Sequence, residues 1–313
     1  MRVVVTLSAA EEQPWLALFR GALPGAHVER REPDQPVRAG EPRADYVVVA
    51  EPCRTVFDAQ PAPKAAFAAS AGVAHLLRLP NLPREVPLLR LEDGGMAQPM
   101  SRYVLAAALR YALHLDDYAR QQREVRWEQQ RERAPALIRA GVLGLGMIGS
   151  AVAQALVAQG FAVRGFAQSE KRIAGVACYA GAARFDAFLT GVDFLVNVLP
   201  FTPATKGLLD ARAFALLADG AHVVNIGRGA SLVDADLLAA LDSGKLSGAT
   251  LDVFAEEPLP SAHPYWHHSR VTVTPHVSGL TVPEEAVAQI AARIARLERG
   301  EAVTGIVDRK RGY

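Results

Sequence analysis

The chain has 313 residues, of which 50% are hydrophobic and 21% are charged, and its formal net charge is +1. This length allows two domains with separate cores, and the near-neutral charge gives no reason to expect nucleic acid or a membrane surface as a partner. No apolar stretch approaches the length of a membrane span, and Cys53 and Cys178 suit reduced thiols, so we expect a cytoplasmic protein.

Residues 1–93 predict a small α/β unit. Trp15–Leu23 has helical spacing, and the proline-rich segments at 33–42 and 61–63 indicate loops. The predicted strands are Val3–Leu7, Ala26–Glu29, Tyr46–Ala50, Ala65–Ala69 and Val86–Leu91.

A long helix is predicted after a glycine-containing hinge at Leu91–Gly95. Its expected core positions are Val104, Leu105, Ala108, Tyr111, Ala112 and Leu115, which follow the helical period. The next segment, Arg120–Arg133, is highly polar, and glutamates alternate with its arginines. This mixture favours a solvated face or a dimerisation arm over a nucleic-acid site.

Residues Ala140–Gly160 combine a short apolar run, a glycine-rich turn and an alanine-rich segment with helical spacing. In the turn, Gly144 allows the sharp bend, Gly146 lets the backbone approach a pyrophosphate, and Gly149 lets the helix pack on the strand. The helix that follows presents unpaired N–H groups and the positive end of its dipole. The pattern predicts a dinucleotide site.

From Ala140 to His276 apolar strands alternate with helical segments, including Leu208–Leu217 and Ala235–Leu241. The predicted strands are Gly141–Leu145, Ala162–Phe166, Phe194–Leu199, His222–Ile226, Ala249–Val253 and Val271–Thr274. Such alternation indicates a parallel sheet covered on both faces, with ligands beyond the carboxyl ends of its strands. A last helix, Pro283–Arg299, is expected to return the chain to the first unit, where Val303–Val307 ends it.

Three polar residues directly follow strands of this predicted sheet: Arg228, Glu257 and His276. Reduction of a ketone by a nicotinamide requires such a set. An imidazolium at His276 can protonate the carbonyl oxygen, and Glu257 can hold the second ring nitrogen and stabilise the charged ring. Arg228 can bind a carboxylate beside the carbonyl and stabilise the developing oxyanion.

Several motifs resemble those of the D-isomer-specific 2-hydroxyacid dehydrogenases: Gly144–Gly149, Asn197–Pro203, Asn225–Gly229, Leu251–Pro260 and Val273–His276. The segments at 90–96 and 307–313 are most similar to the glyoxylate/hydroxypyruvate reductase branch. The resemblance implies an α/β protein with a doubly wound Rossmann cofactor domain at 94–281. It also implies a smaller flavodoxin-like substrate domain at 1–93 and 282–313, and a homodimer formed through the cofactor domain with an arm at 100–133.

The cofactor is expected to be NADP, with NADPH preferred over NADH. A NAD-selective site would place a carboxylate near Ala167, but Ala167 has none, and Ser169, Lys171 and Arg172 can receive a 2′-phosphate. Glu170 is the one unfavourable charge there. Further cofactor contacts are expected, partly from the resemblance, at Met147, Ile148, Gln168, Leu199, Pro200, Thr205, Ile226, Gly227, Asp252 (to the nicotinamide amide) and His276.

The substrate is expected to be a small 2-oxoacid such as glyoxylate, hydroxypyruvate or a bulkier acid, reduced to the D-2-hydroxyacid. Its carboxylate would bind Arg228 and the backbone of Ala71, Gly72 and Val73, and its carbonyl oxygen would contact His276. In this turn Ser70 and Ala74 replace a glycine and an aspartate of the family pattern, and Ala50 stands where relatives carry a tryptophan. These departures favour a roomier pocket.

Two alternatives remain open: a non-catalytic NAD(P)-sensing regulator on the same fold, and oxidation of formate or phosphite. The three strand-end residues favour catalysis, and formate enzymes carry glutamine where Glu257 stands. The histidines at 263, 267 and 268 match no familiar metal-ligand spacing, so no metal is expected.

Overall fold

The structure is a computed structural model that describes residues 1–9, 12–33, 35, 40–51, 55–58, 62–70 and 72–310. It divides into two compact units. The first unit comprises Met1–Met96 and Thr281–Tyr313, and the second unit comprises Ala97–Leu280. Among the described residues, no helix is both long enough and apolar enough to cross a bilayer.

The strands and helices follow in chain order. Residues 1–96 form β1 (Arg2–Thr6), α1 (Glu12–Ala22), β2 (His27–Arg31), β3 (Tyr46–Val49), β4 (Ala65–Ala68), α2 (Ala74–Leu77) and β5 (Leu88–Leu89). Residues 97–189 form α3 (Ala97–Ala112), α4 (Leu115–Arg123), β6 (Arg139–Leu143), α5 (Met147–Ala158), β7 (Ala162–Ala167), β8 (Val176–Ala180) and α6 (Phe185–Leu189). The remainder forms β9 (Phe194–Asn197), α7 (Ala211–Leu216), β10 (Ala221–Asn225), α8 (Asp234–Asp242), β11 (Leu246–Leu251), β12 (Val271–Val273) and α9 (Pro283–Glu298).

The first unit is built on a parallel sheet with the strand order β2-β1-β3-β4-β5. The valine-rich strands β1 and β3 lie inside the sheet, whereas β2, with its polar sequence, lies at an edge. Helix α1 buries Trp15, Leu16 and Phe19. This order is the flavodoxin-like one, which confirms the predicted class of this unit.

The second unit is built on a seven-stranded parallel sheet with the order β12-β11-β10-β9-β6-β7-β8. Counted from β6, this is the Rossmann order, with the reversal between β6 and β9 where ligands bind. The strand β8 was not predicted from the sequence. This edge strand is only partly buried along its length, so it lacks the apolar run that identifies the central strands.

Two expected core positions of the long helix were wrong. Leu105, within α3, is only half-buried. Leu115 is 42% exposed, because α3 ends at Ala112 and His114 takes a left-handed conformation (φ 56°) before α4 begins. The predicted helix at 208–217 is also shorter, because Asp210 caps α7 by accepting a hydrogen bond from the amide of Ala213.

Candidate active site

The glycine-rich turn connects β6 to α5. Gly144 has a φ of +108°, and a β-carbon added to Gly149 would lie 1.7 Å from the carbonyl oxygen of Gly144. A β-carbon on Gly146 would meet no atom within 4 Å, and Gly146 caps α5 without a side-chain hydrogen bond. The turn therefore leaves open space beside the first N–H groups of a twelve-residue helix.

This turn fits a dinucleotide pyrophosphate. It lies at the carboxyl end of β6, beside the reversal in strand order, and its open face combines amide donors with the positive end of the α5 dipole. Met147 is 55% exposed and Ile148 is half-buried in the first turn of α5, and their contacts to the cofactor stay a prediction.

The segment that follows β7 carries the residues expected at a 2′-phosphate. Gln168, Ser169, Lys171 and Arg172 are exposed beyond Ala167, and Glu170 is exposed among them. Within the part of the chain that the structure describes, Lys171 and Arg172 form no ion pair. Their charges are therefore available to an anionic ligand.

The loop after β9 contains Leu199, Pro200 and Thr205. Leu199 and Thr205 are half-buried, Pro200 is exposed, and the Thr205 hydroxyl donates to the carbonyl of Pro200 at 2.7 Å. The same hydroxyl accepts the amide of Thr202 at 2.8 Å, which closes the loop on itself. These hydrogen bonds hold the loop in one conformation, and the loop is expected to line the cofactor groove.

Three of the expected cofactor contacts are largely enclosed by protein. Gly227 is buried, Ile226 is 3% exposed and Asp252 is 0% exposed. The carboxylate of Asp252 accepts hydrogen bonds from the Thr274 hydroxyl (2.6 Å) and the Ser278 amide (2.9 Å). The nicotinamide contact expected of Asp252 therefore stays a prediction.

His276 and Glu257 are brought together, although 19 positions separate them in the sequence. His276 Nδ1 lies 2.8 Å from Glu257 Oε2, and Glu257 Oε1 accepts the amide of Phe254 at 2.8 Å. His276 has a left-handed backbone (φ 54°), and its amide donates to the carbonyls of Asp252 and Thr274. The side chain is 47% exposed, so a ligand can reach the ring.

Arg228 follows β10 in an extended conformation, and its Nη1 donates to the carbonyl of Gly227 at 2.6 Å. Burial lowers the pKa of the Arg228 guanidinium, and the negative charge of Glu257 opposes this shift. An arginine remains charged even so, and a cation removed from water binds a carboxylate strongly. The second unit thus places a guanidinium, an imidazole and a carboxylate after successive strands of one parallel sheet.

The expected substrate turn lies in the first unit. Ala71 is outside the described residues, Gly72 is half-buried and Val73 is buried. The Ser70 hydroxyl donates to the carbonyl of Gly72 at 2.8 Å, a contact that a glycine at position 70 could not make.

The three clustered histidines have separate surroundings. His263 Nδ1 accepts the amide of Tyr265, His268 Nε2 lies 3.3 Å from Asp242 Oδ1, and His267 is exposed. Among the residues that the structure describes, no three potential metal ligands converge.

Several buried polar residues that hydrogen-bond to the main chain of Arg228 or lie next to Asp252 were not predicted from the sequence. Asn197 and Asn225 end the apolar strands β9 and β10, and Ser231 follows Arg228; all three side chains are buried. Tyr103 on α3 places its hydroxyl 2.6 Å from that of Thr274, next to Asp252. An asparagine at the end of an apolar strand was the available signal.

Comparisons with known proteins agree with this geometry. Residues 105–278 match the family model described as D-isomer specific 2-hydroxyacid dehydrogenase, NAD binding domain. The chain is 45% identical to glyoxylate/hydroxypyruvate reductase A of Serratia proteamaculans (strain 568), over 97% of this chain and 96% of that protein.

Two solved structures are similar along nearly the whole chain. A D-isomer specific 2-hydroxyacid dehydrogenase of Xanthobacter autotrophicus Py2, in complex with NADPH and MES, is 39% identical with a TM-score of 0.91 and covers 99% of each chain. The NADPH-dependent glyoxylate/hydroxypyruvate reductase of Sinorhizobium meliloti, in complex with NADP and sulfate, is 36% identical with a TM-score of 0.91. That match covers 100% of this chain and 99% of the other.

Proposed function

The chain belongs to the family of D-isomer-specific 2-hydroxyacid dehydrogenases, and we propose that it is a cytoplasmic, NADPH-dependent reductase of small 2-oxoacids. The observation that carries this proposal is the 2.8 Å contact between His276 Nδ1 and Glu257 Oε2 at the strand ends that also carry Arg228. The products are D-2-hydroxyacids. The reductase names of its relatives support the reaction class, and their NADPH and NADP complexes support the cofactor.

The second unit supplies the cofactor site, which we assign to a domain at 94–281. The open turn at Gly146 and the first turn of α5 would hold the pyrophosphate, and Ser169, Lys171 and Arg172 would hold the 2′-phosphate. When bound, NADPH supplies the hydride that adds to the carbonyl carbon of the 2-oxoacid. The smaller domain at 1–93 and 282–313 supplies the turn at Gly72 and Val73 for the substrate carboxylate.

The proton comes from His276. With Nδ1–H donated to Glu257, the ring presents Nε2–H to the carbonyl oxygen of the substrate. The proton moves to that oxygen as hydride adds to the carbonyl carbon and the C=O double bond becomes a single bond. This step leaves a neutral imidazole and a hydroxyl group. Solvent then returns a proton to the exposed ring. Glu257 holds the ring in one orientation throughout, because Phe254 fixes its second oxygen.

Arg228 provides the positive charge for the negatively charged groups of the substrate. Its guanidinium binds the substrate carboxylate and stabilises the negative charge that develops on the carbonyl oxygen. We propose glyoxylate, hydroxypyruvate or a bulkier 2-oxoacid as the substrate, because Ala50 has a small side chain where the resemblance to the family leads us to expect a tryptophan.

The proposal is tested by following NADPH oxidation with glyoxylate, hydroxypyruvate and a series of larger 2-oxoacids, each repeated with NADH. We expect turnover with NADPH, a lower kcat/KM with NADH, and substantial activity toward at least one larger acid. Tight NADPH binding without turnover of any acid would contradict catalysis and support the sensing function instead.

We further propose that the protein is a homodimer assembled through the second unit. The segment after α4 exposes large apolar side chains: Val125 is 94% exposed, Trp127 is 93% exposed and Leu137 is 80% exposed. Such a group of exposed apolar residues is unusual on a monomer and is typical of an interface. A second copy of the chain is the occupant that we propose.

A further inference from the structure

Three polar side chains are buried beneath Arg228. Asn197 and Ser231 are 0% exposed and Asn225 is 1% exposed. Burial of an amide or a hydroxyl is unfavourable unless its hydrogen bonds are made inside the protein, so the partners of these groups are informative.

The three residues form one connected network. The Asn197 Nδ2 group donates to Asn225 Oδ1 at 2.9 Å and to Ser231 Oγ at 2.6 Å. The network then converges on one atom, the carbonyl oxygen of Arg228. That oxygen accepts the Ser231 hydroxyl at 2.6 Å, the Ser231 amide at 3.2 Å and the Asn225 Nδ2 group at 3.3 Å.

The network also reaches the expected cofactor loop. Asn197 Oδ1 accepts the amide of Leu199 at 3.2 Å, and Asn225 Oδ1 accepts the amide of Gly227 at 3.2 Å. The two asparagines therefore fix the main chain at Leu199, two residues after the end of β9, and at Gly227, one residue before Arg228.

The glycines that flank Arg228 lie in close contact with the main chain of neighbouring loops. A β-carbon on Gly227 would lie 2.7 Å from the carbonyl oxygen of Leu199, and one on Gly229 would lie 1.8 Å from the carbonyl carbon of Phe254. The main chain of Arg228 is thus enclosed by the loops that carry the cofactor contacts and lead to Glu257, and its own carbonyl is held from beneath.

We infer that Asn197, Asn225 and Ser231 are positioning residues for Arg228. They touch neither the substrate nor the reacting atoms; they fix the backbone from which the guanidinium extends. Because most of Arg228 is removed from water, a small displacement of its backbone moves a strong charge relative to the substrate carboxylate. This inference rests on the proposed 2-oxoacid reduction, in which Arg228 binds that carboxylate.

The test is a double-mutant cycle between Ser231→Ala and Arg228→Ala. Ser231→Ala removes the buried hydroxyl that donates to the Arg228 carbonyl. We expect it to lower kcat/KM for glyoxylate about tenfold, which corresponds to the loss of one hydrogen bond. The Kd of NADPH is expected to stay unchanged. In the Arg228→Ala background Ser231→Ala should have no further effect, because no guanidinium remains to be positioned. If Arg228→Ala is inactive, the same cycle is measured on the Kd of oxalate in the presence of NADPH.

Ser247→Ala is the matched control, because this hydroxyl also donates to a main-chain carbonyl, that of Ala221, but at the amino end of β11. It should retain wild-type kcat/KM. If Ser231→Ala does not fold, Ser231→Cys replaces it, since the thiol fills the same space and donates weakly. Equal losses in both backgrounds, or wild-type kcat/KM in a folded Ser231 variant, would overturn the inference. Failure of the wild-type enzyme to turn over would instead count against the proposed function.

Discussion

His276 and Glu257 are joined by a 2.8 Å contact between Nδ1 and Oε2, and the other oxygen of Glu257 accepts the amide of Phe254. The imidazole is therefore oriented by a carboxylate that is itself oriented by the main chain. The backbone of His276 adds a second constraint, because its left-handed conformation is held by two carbonyls. Because Nδ1 is engaged by Glu257, Nε2 is the ring nitrogen to which we assign the proposed proton transfer.

Replacing this histidine should stop proton transfer without disturbing the cofactor site. We expect His276→Gln to lower kcat about 100- to 10,000-fold, the usual contribution of a general acid. The Kd for NADPH should change little, because the pyrophosphate and 2′-phosphate contacts are kept and only one expected contact, that of His276, is altered. Steady-state kinetics and a fluorescence titration with NADPH measure the two quantities. His267→Gln is the control, since His267 is exposed, and near-normal turnover of His276→Gln would show that another group donates the proton.

The cofactor preference should depend on the segment after β7. Each of Lys171→Ala and Arg172→Ala is expected to reduce the NADPH/NADH ratio of kcat/KM about tenfold, because each removes a charge-assisted bond to the 2′-phosphate. Activity with NADH should be unaffected. Arg84→Ala removes an exposed charge from the first unit and should leave the ratio unchanged. If the NADPH/NADH ratio of kcat/KM were the same in all variants and the wild type, Lys171 and Arg172 would not be the residues that bind the 2′-phosphate.

Gly149 should not tolerate a side chain. Gly149→Ala places a β-carbon 1.7 Å from the carbonyl oxygen of Gly144, so the turn must open and the pyrophosphate site is distorted. We expect weaker NADPH binding and a loss of about 1–3 kcal/mol in the free energy of unfolding. Gly21→Ala, where a β-carbon on α1 meets no atom within 4 Å, should be neutral or stabilising. Unchanged NADPH affinity in Gly149→Ala would exclude this turn as the cradle.

His222 should make stability depend on pH. It is 5% exposed, stacks on Phe194 and bonds the Thr250 hydroxyl, and burial lowers its pKa from 6.5 to about 4. The unfolded chain binds the proton below about pH 6.5, whereas the folded chain binds it only near pH 4, so the unfolded state gains stability as the pH falls. The free energy of unfolding should therefore decrease by about 3 kcal/mol across this window.

Denaturant unfolding of the wild type and His222→Phe at several pH values measures this contribution. The phenylalanine keeps the stacked ring but cannot titrate, so the difference in unfolding free energy between the two proteins should change between pH 6.5 and 4 and be constant above that range. If the unfolding free energies of the two proteins changed with pH in parallel, His222 would not contribute to the pH dependence of stability.

The exposed apolar residues of the second unit should control assembly. Trp127→Glu places a charge on a side chain that is 93% exposed, which would be unfavourable in a buried dimer interface. We expect the wild type to sediment as a dimer and Trp127→Glu as a folded monomer. Trp266→Glu, at a side chain that is 47% exposed, is the control and should remain dimeric. Dimers of equal stability in both variants would place the interface elsewhere.

The class of fold and the identities of the principal chemical groups follow from local patterns in the chain. Apolar strands separated by helices specify a parallel sheet, and the glycines at 144, 146 and 149 specify a strand–turn–helix crevice, because each pattern is read from near neighbours in the chain. Arg228, Glu257 and His276 could be selected because the carboxyl ends of parallel strands meet at one edge.

The hydrogen bonds that hold these groups in place become visible only in the folded chain. The edge strand β8 carries no local apolar signal, and Leu115 is exposed because a left-handed residue ends one helix just before another begins. The bonds from Asn225 and Ser231 to the Arg228 carbonyl, and the burial of Asp252, depend on segments far apart in sequence. A buried polar side chain acquires its role from the partners that folding brings to it, and no local pattern records those partners.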